Sequence, residues 1–351
     1  MSVPAEMVAV EIAAFGGPEM LQPVMMPVPE PGPGEVLIRV AAAGLNAPDL
    51  GQRRGTYNPP ADASPLPGLE VGGAVAALGA GVSGFAPGDL VVALTNGGGY
   101  AEYVAVPAGQ ALPLPISWSP LAGAALPETF FTVEQTLVMR AGLEAGMHVL
   151  IHGGAGGIGG AAIQRAKLAG AIPIAVVSDA TKAAYAQSLG AAEIINRKTE
   201  DFVARTLSIT GGKGAERIVD IVGGDALDRN IRASARFGHI VLVSTQAGPK
   251  AEINAGLLMM KQLTLSGSTL RPQTREVKAA IAQSLRTNVW PGLEDGRIRP
   301  PRIRAVPLTE AARGHVELER ADNYGKLILV TSWGETLRKT GADADNPIES
   351  V

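Results

Sequence analysis

Cysteine is absent from this 351-residue chain. That absence excludes disulfides, thiol nucleophiles and every zinc site built on thiolates, and it is compatible with a reducing compartment. A surplus of either charge is also lacking, since 30 Lys and Arg stand against 33 Asp and Glu for a formal charge of −3. Without a clustered basic excess, nucleic acid is not an expected partner. The opening Met1-Ser2-Val3-Pro4-Ala5-Glu6 has no basic residue ahead of an apolar core, so it does not read as a secretory signal. An unbroken apolar span is missing too. The uncharged stretch 103–127 is cut by Pro107, Pro113, Pro115, Pro120 and Pro127 into pieces shorter than a spanning helix. The expectation is a soluble, cytoplasmic protein with no membrane partner.

What is present is enough apolar residue, 46% against 18% charged, for compact folding. The length favours two domains over one core. The first third predicts short strands at 7–14, 35–40, 71–78, 90–94 and 100–106, with Gly or Pro at nearly every boundary. From Glu128 the texture changes. Helical spacing at 129–140 leads into apolar strands at 148–151, 172–177, 193–196, 217–222 and 239–243, alternating with helices at 158–169, 182–189 and 227–235. Continuous apolar strands alternating with helices predict an α/β, doubly wound parallel sheet covered on both faces. The expected organisation is 1–127 as a β-rich domain and 128–267 as the doubly wound domain. Residues 268–333, with helices at 276–285 and 308–320 and a strand at 326–330, return to the first domain, and 334–351 form a flexible tail.

Gly154-Ala155-Gly156-Gly157-Ile158-Gly159 satisfies the G-x-G-x-x-G pattern. The pattern alone is weak in a chain with 44 glycines. Here it follows an apolar strand and opens a helix, which is the context that dinucleotide binding requires. Gly154 is expected to make the tight turn, Gly156 to let the backbone approach a pyrophosphate, and Gly159 to let the helix sit close to the sheet. The helix N-terminus, with Gly157 and Ile158, offers free N–H groups to the phosphates. The second strand ends in Ser178-Asp179-Ala180-Thr181-Lys182. Neutral Ser178 with Lys182 nearby, and Arg197 after the third strand, suit the 2′-phosphate of NADPH. Asp179 cuts the other way and favours NADH if it points at the ribose. NADPH is the favoured cofactor and NADH the alternative.

Taken in order, several motifs resemble the medium-chain dehydrogenase/reductase superfamily on its zinc-free quinone oxidoreductase (zeta-crystallin-like) branch. They are Glu35-Val36-Leu37-Ile38-Arg39-Val40, Ala43-Gly44-Leu45-Asn46-Ala47-Pro48-Asp49-Leu50, Pro67-Gly68-Leu69-Glu70-Val71-Gly72-Gly73, Pro87-Gly88-Asp89-Leu90-Val91, Gly98-Gly99-Tyr100-Ala101-Glu102-Tyr103, the glycine motif, Asp220-Ile221-Val222-Gly223-Gly224 and Gly325-Lys326-Leu327. The likeness runs over about 7–330. Gln52-Arg53-Arg54-Gly55-Thr56-Tyr57-Asn58-Pro59-Pro60 and Leu265-Ser266-Gly267-Ser268-Thr269-Leu270-Arg271 are most similar to the tumour-suppressor-inducible quinone oxidoreductase subgroup.

The resemblance implies a GroES-like β domain split around a Rossmann domain, with the active site in the cleft between them and a homodimer or homotetramer as the assembly. Zinc-dependent relatives place cysteine where Asn46 stands and histidine where Leu69 stands, and they carry a four-cysteine loop that this chain lacks. No metal is therefore expected. The resemblance further implies that Asn46 and Tyr57 line the substrate side, Thr132 lies near the nicotinamide, and Lys326 belongs with the cofactor-binding residues. Where many relatives have tyrosine, this chain has Arg197.

A quinone or an α,β-unsaturated carbonyl accepts hydride without a Lewis acid because conjugation already leaves a carbon electron-poor, whereas a simple alcohol needs help with its proton. Asn46 and Tyr57 are candidate donors to the oxygen on which charge develops. The proton comes from Tyr57 or from solvent, and Tyr57 also reads as a packing residue in a Pro-rich loop. Glu70 reads as structural. His148, His152, His239 and His315 have no metal-like spacing. The other readings left standing are an enoyl-thioester reductase and a low-turnover NADPH-binding structural protein.

Overall fold

The computed structural model describes residues 3–61, 63–320, 322–340 and 348–351. The chain divides into two compact units. One comprises Met1–Phe131, Arg271–Glu294 and Pro300–Val351, the other Thr132–Leu270 and Asp295–Arg299.

The second unit is built on a six-stranded sheet ordered Glu193–Asn196, Ile172–Val177, His148–His152, Ala215–Asp220, Ser234–Leu242, Thr264–Gly267. All neighbours are parallel. In chain order this is 3-2-1-4-5-6, the Rossmann arrangement. Such strands are covered on both faces, which is why they are apolar without alternation. Leu150, Ile174, Ile195 and Ile240 are wholly buried and Ile218 nearly so. The order reverses between His148–His152 and Ala215–Asp220, and ligands bind outside the carboxyl ends of the strands at such a reversal. Helix Gly157–Leu168 begins at that point. Its Arg165 Nε donates to buried Glu134 Oε2 at 2.7 Å, which fastens it to the wide π turn Glu134–Arg140. Gln164 and Arg299 exchange two hydrogen bonds, which ties Asp295–Arg299 to this unit.

The first unit carries an eight-stranded sheet ordered Ile348–Ser350, Ile303–Pro307, Lys326–Val330, Glu35–Gly44, Glu70–Leu78, Leu90–Leu94, Ala111–Pro113, with Tyr103–Pro107 also paired to Glu35–Gly44. Its core holds the fully buried Val36, Ile38, Val40, Val71 and Leu329. Glu6–Ile12 and Leu21–Pro27 form a separate two-stranded sheet, joined to the rest of the unit by a bridge from Ala9 to Ala101.

Within the segment expected to be a flexible tail, 334–351, the described residues include most of a helix and a short strand. Thr331 caps a helix, Ser332–Lys339, whose Trp333 ring lies 4.7 Å from the Arg39 guanidinium carbon. Ile348–Ser350 pairs with Ile303–Pro307. A side-chain cap and a cation–π contact hold what apolar periodicity alone did not reveal. The acidic run Ala342-Asp343-Ala344-Asp345-Asn346 and the first two residues of the N-terminus lie outside the described residues.

Candidate functional site

The glycine turn follows His148–His152. Gly153, not Gly154, takes the left-handed conformation, at φ +65°, so the tight turn is made one residue earlier than expected. Gly154 is required for space, because a Cβ there would lie 2.7 Å from Ala175 Cβ. Gly159 is required more strictly, since its Cβ would fall 2.2 Å from the Gly153 carbonyl oxygen and 2.7 Å from Gly154 Cα. Gly156 is different. It is the N-cap of Gly157–Leu168, no side chain caps that helix, and its Cβ would meet only Gly153 O at 3.4 Å. The packing of the chain therefore does not demand glycine at Gly156. An open backbone surface beside the first-turn N–H groups of Gly157, Ile158 and Gly159 fits a pyrophosphate.

At the end of the second strand Ser178 Oγ donates to Asp179 Oδ2 at 2.8 Å, and Asp179 Oδ1 accepts from the Lys182 N–H at 2.9 Å. Asp179 is the N-cap of helix Ala180–Ser188. These bonds hold its carboxyl below the usual range. Lys182 Nζ stands 3.9 Å from the same carboxylate. Arg197 is exposed, and its N–H pairs with Val177 O. Thr132 is buried at the start of this unit, where its carbonyl accepts from Thr136 Oγ1 at 2.6 Å.

The first unit gathers a buried polar centre. Asn46 precedes helix Ala47–Arg54, and Asp49 closes that end by accepting from the Asn46 N–H at 2.9 Å and the Gly68 N–H at 3.0 Å. Burial pushes the Asp49 carboxyl up to about 6 against those two bonds. The Asn46 side chain faces the other way, donating to Glu70 Oε1 at 2.9 Å and accepting from Lys326 Nζ at 2.7 Å. Lys326 also reaches Glu70 Oε1 at 2.5 Å and Leu45 O at 3.2 Å. Gly44 makes room, as a Cβ there would collide with the Glu70 carboxylate. Glu70 has the structural role expected of it, its second oxygen accepting from the Glu128 N–H at 2.9 Å.

Lys326, expected among the cofactor-binding residues, is placed in this buried centre. Its three ammonium donors are engaged by Leu45, Asn46 and Glu70, and the residue is 5% exposed. A lone lysine in Gly325-Lys326-Leu327 gives no sign of a carboxylate 256 positions away.

Tyr57 is half-buried, with the Arg271 guanidinium carbon 5.8 Å from its ring centre. Burial raises its phenol above the ordinary range, with Glu128 adding to the rise. The Glu128 carboxyl is pushed up to about 8, first by burial and then by the charge of Glu70. Neither Glu128 nor Arg271 was singled out for chemistry from sequence. Both join the centre through the fold, and no local motif marks them. The histidines do not join it. His315 is fully buried between Arg53 Nη1 at 3.3 Å and Tyr100 Oη at 3.0 Å. Arg53 can only donate, so His315 Nδ1 accepts and Nε2 carries the proton; burial and then Arg53 bring its pKa down to about 3. His152 bonds Asn230 Oδ1 at 2.7 Å.

With this geometry in view, comparison with known proteins is decisive for the family. Residues 32–116 match the alcohol dehydrogenase GroES-like domain, and residues 157–286 match the zinc-binding dehydrogenase model. The quinone oxidoreductase of Lama guanicoe is 32% identical over 92% of this chain and 97% of its own. The chain belongs to the medium-chain dehydrogenase/reductase superfamily. Among solved structures of that superfamily, the Escherichia coli quinone oxidoreductase complexed with NADPH superposes with a TM-score of 0.81 at 32% identity, over 92% of this chain and 99% of that one. An NAD-dependent alcohol dehydrogenase superposes with a TM-score of 0.80 at 34% identity, again over 92% and 99%. As a member of the medium-chain dehydrogenase/reductase superfamily, the chain is an oxidoreductase with a Rossmann unit and a GroES-like β-rich unit.

Proposed function

We propose that this oxidoreductase is NADPH-dependent and zinc-independent, and that it transfers hydride to quinones or α,β-unsaturated carbonyls. The observation that carries the reading is the open, uncapped glycine turn at the sheet's reversal point, where Gly156 owes its lack of a side chain to nothing in the chain itself. Relatives named quinone oxidoreductase, one of them solved with NADPH, support it.

The bound dinucleotide supplies a hydride from its reduced nicotinamide. The chain's part is to hold and orient. The amides of Gly157, Ile158 and Gly159 hold the pyrophosphate. Lys182 and Arg197 supply positive charge for a 2′-phosphate. Asp179 is spent on its own helix cap, which weakens the case for a ribose-binding carboxylate and favours NADPH over NADH. In the first unit, Tyr57 stays protonated and can donate to an acceptor oxygen as charge develops there. Asn46, whose side-chain N–H groups go to Glu70 and the Gly44 carbonyl and whose oxygen accepts from Lys326, shapes this side of the site instead of donating to the acceptor. Reduction of a quinone then balances with one hydride and one proton, the proton coming from Tyr57 or, through it, from solvent. The zinc-free reading rests on donor chemistry. Leu69 offers no ligand atom, and the ammonium of Lys326 sits on Asn46 and Glu70, where it would repel a cation.

The test is oxidation of NADPH by the purified protein with a panel of quinones and enals, run beside fluorescence titration of NADPH binding. Turnover with conjugated acceptors is expected. Tight binding with no oxidation across the panel would reject the reductase in favour of a binding protein.

A further inference from the structure

His152 ends the first strand of the six-stranded sheet and Asp220 ends the fourth, each one residue beyond Ile151 and Val219, the last to pair between them. These are the two strands between which the order reverses. A buried polar path joins their ends. Asn230, on helix Ala226–Ala233, donates through Nδ2 to Asp220 Oδ2 at 3.0 Å, and its Oδ1 lies 2.7 Å from His152 Nε2. Since the amide nitrogen donates to the carboxylate, the amide oxygen accepts and His152 Nε2 carries the proton. Asp220 and Asn230 are wholly buried and His152 nearly so, with the Phe202 ring edge-on to the imidazole at 4.9 Å.

The other oxygen of Asp220 holds a loop. Oδ1 accepts from the Val222 N–H at 2.7 Å and from the Gly223 N–H at 3.0 Å. Gly223 and Gly224 are both left-handed, at φ +64° and +51°, so the chain turns sharply here. The loop is bonded onward to the one that follows the fifth strand, Ala247 N–H to Val222 O at 2.8 Å and Gly224 N–H to Gly248 O at 3.1 Å. On its other side it rests on the glycine turn, since a Cβ on Gly153 would collide with the Ile221 side chain. Apolar side chains would fill the same volume without the desolvation of a carboxylate, an amide and an imidazole. What the polar path adds is direction, because a satisfied buried network specifies a single arrangement.

A sheet of this order has two mononucleotide-binding halves. On the reading proposed above, the adenosine 2′-phosphate lies at Ser178 and Lys182, beyond the second strand. The other nucleotide then falls across the reversal, toward the loops that follow the fourth and fifth strands. We propose that His152, Asn230 and Asp220 are positioning residues for the nicotinamide half of the dinucleotide, fixing through Val222 and Gly223 the loop which that half meets. The proposal rests on the dinucleotide reading and adds to it three residues that act through that loop.

The probes are NADPH and adenosine 2′,5′-bisphosphate, which keeps the adenosine half and lacks the nicotinamide nucleotide, each titrated calorimetrically into the full chain. His152→Met roughly keeps the volume and deletes the donor to Asn230. It should weaken NADPH roughly fivefold, the scale of one hydrogen bond, and leave the bisphosphate within about twofold. His152→Gln, which returns an N–H to Asn230, should recover most of the NADPH loss. A general structural defect would weaken both probes alike. If neither variant folds, amide exchange in the wild type decides, because saturating NADPH should slow exchange at Val222 and Gly223 and saturating bisphosphate should not. Equal losses for the two probes in His152→Met, no loss for either, a His152→Gln no better than His152→Met, or equal protection of Val222 and Gly223 by both probes would each overturn the proposal alone. A wild-type chain that binds neither probe would sink the dinucleotide reading and the proposal with it.

Discussion

Lys326 Nζ lies 2.5 Å from Glu70 Oε1, both side chains being almost wholly excluded from solvent, and Asn46 bridges the pair. Removing one member of a buried pair leaves the other charge without compensation, a loss of about 3–5 kcal/mol. Lys326→Met is therefore expected to lower unfolding stability by about that amount in urea denaturation. The double change Lys326→Met with Glu70→Gln should recover at least about 1 kcal/mol, because the stranded charge is gone. A double variant no more stable than the single one would mean that the pair does not act as a unit.

The two glycines of the turn separate folding from binding. Gly159→Ala puts a Cβ against backbone that cannot yield, so it should destabilise the fold by roughly 1–3 kcal/mol, the usual cost of overpacking. Gly156→Ala meets only Gly153 O, at 3.4 Å, and at an ordinary φ of −83°. Its melting temperature should stay near that of the wild type, while dinucleotide affinity falls at least tenfold. Equal affinity in Gly156→Ala and wild type would remove the pyrophosphate from this turn.

Sequence periodicity carries far here where the physics is local. The parallel strands are legible because burial on both faces demands runs such as Val149-Leu150-Ile151, and the glycine spacing is legible because helix-to-sheet contact tolerates no Cβ at Gly159. Helix Ala47–Arg54 is not, because Gly51 and a polar surface hide its period, although Asn46 followed three residues later by Asp49 is a capping signal. The polar centre is less legible still. Asn46, Glu70, Glu128, Arg271 and Lys326 converge only through strand pairing and chain return, and no spacing along the chain encodes that convergence.

Cofactor choice turns on the end of the second strand. Lys182→Ala should weaken NADPH roughly tenfold, about 1.4 kcal/mol, and NADH by less than twofold in parallel fluorescence titrations. Equal losses for both would take Lys182 out of the phosphate site. Asp179→Asn keeps a helix cap while removing a negative charge, so NADPH should gain affinity relative to NADH.

In the proposed reaction Tyr57 donates to the acceptor oxygen. Tyr57→Phe keeps the ring against Arg271 and deletes only the hydroxyl. The expected loss in kcat is roughly 100-fold if the phenol delivers the proton, with NADPH affinity unchanged. A change confined to KM would assign Tyr57 to packing of the acceptor.

Stability should carry the mark of Glu128. Its carboxyl titrates at about 8 in the folded chain against an ordinary 4.5, so the folded state holds this proton where the unfolded chain has lost it. The group's contribution is therefore full below pH 4.5 and is lost as pH rises through 8. Asp49, up at about 6 from 3.8, has the same sign over a lower window. His315, down at about 3 from 6.5, has the opposite sign, adding stability above pH 6.5 and losing it as pH falls. A raw pH profile therefore mixes opposed slopes, and the difference between wild type and Glu128→Gln isolates one. Measured by urea midpoints from pH 5 to 8.5, the variant should gain on the wild type steadily as pH rises and level off above 8. A gap that stays constant across that range would show that Glu128 ionises in the folded chain as it does in water.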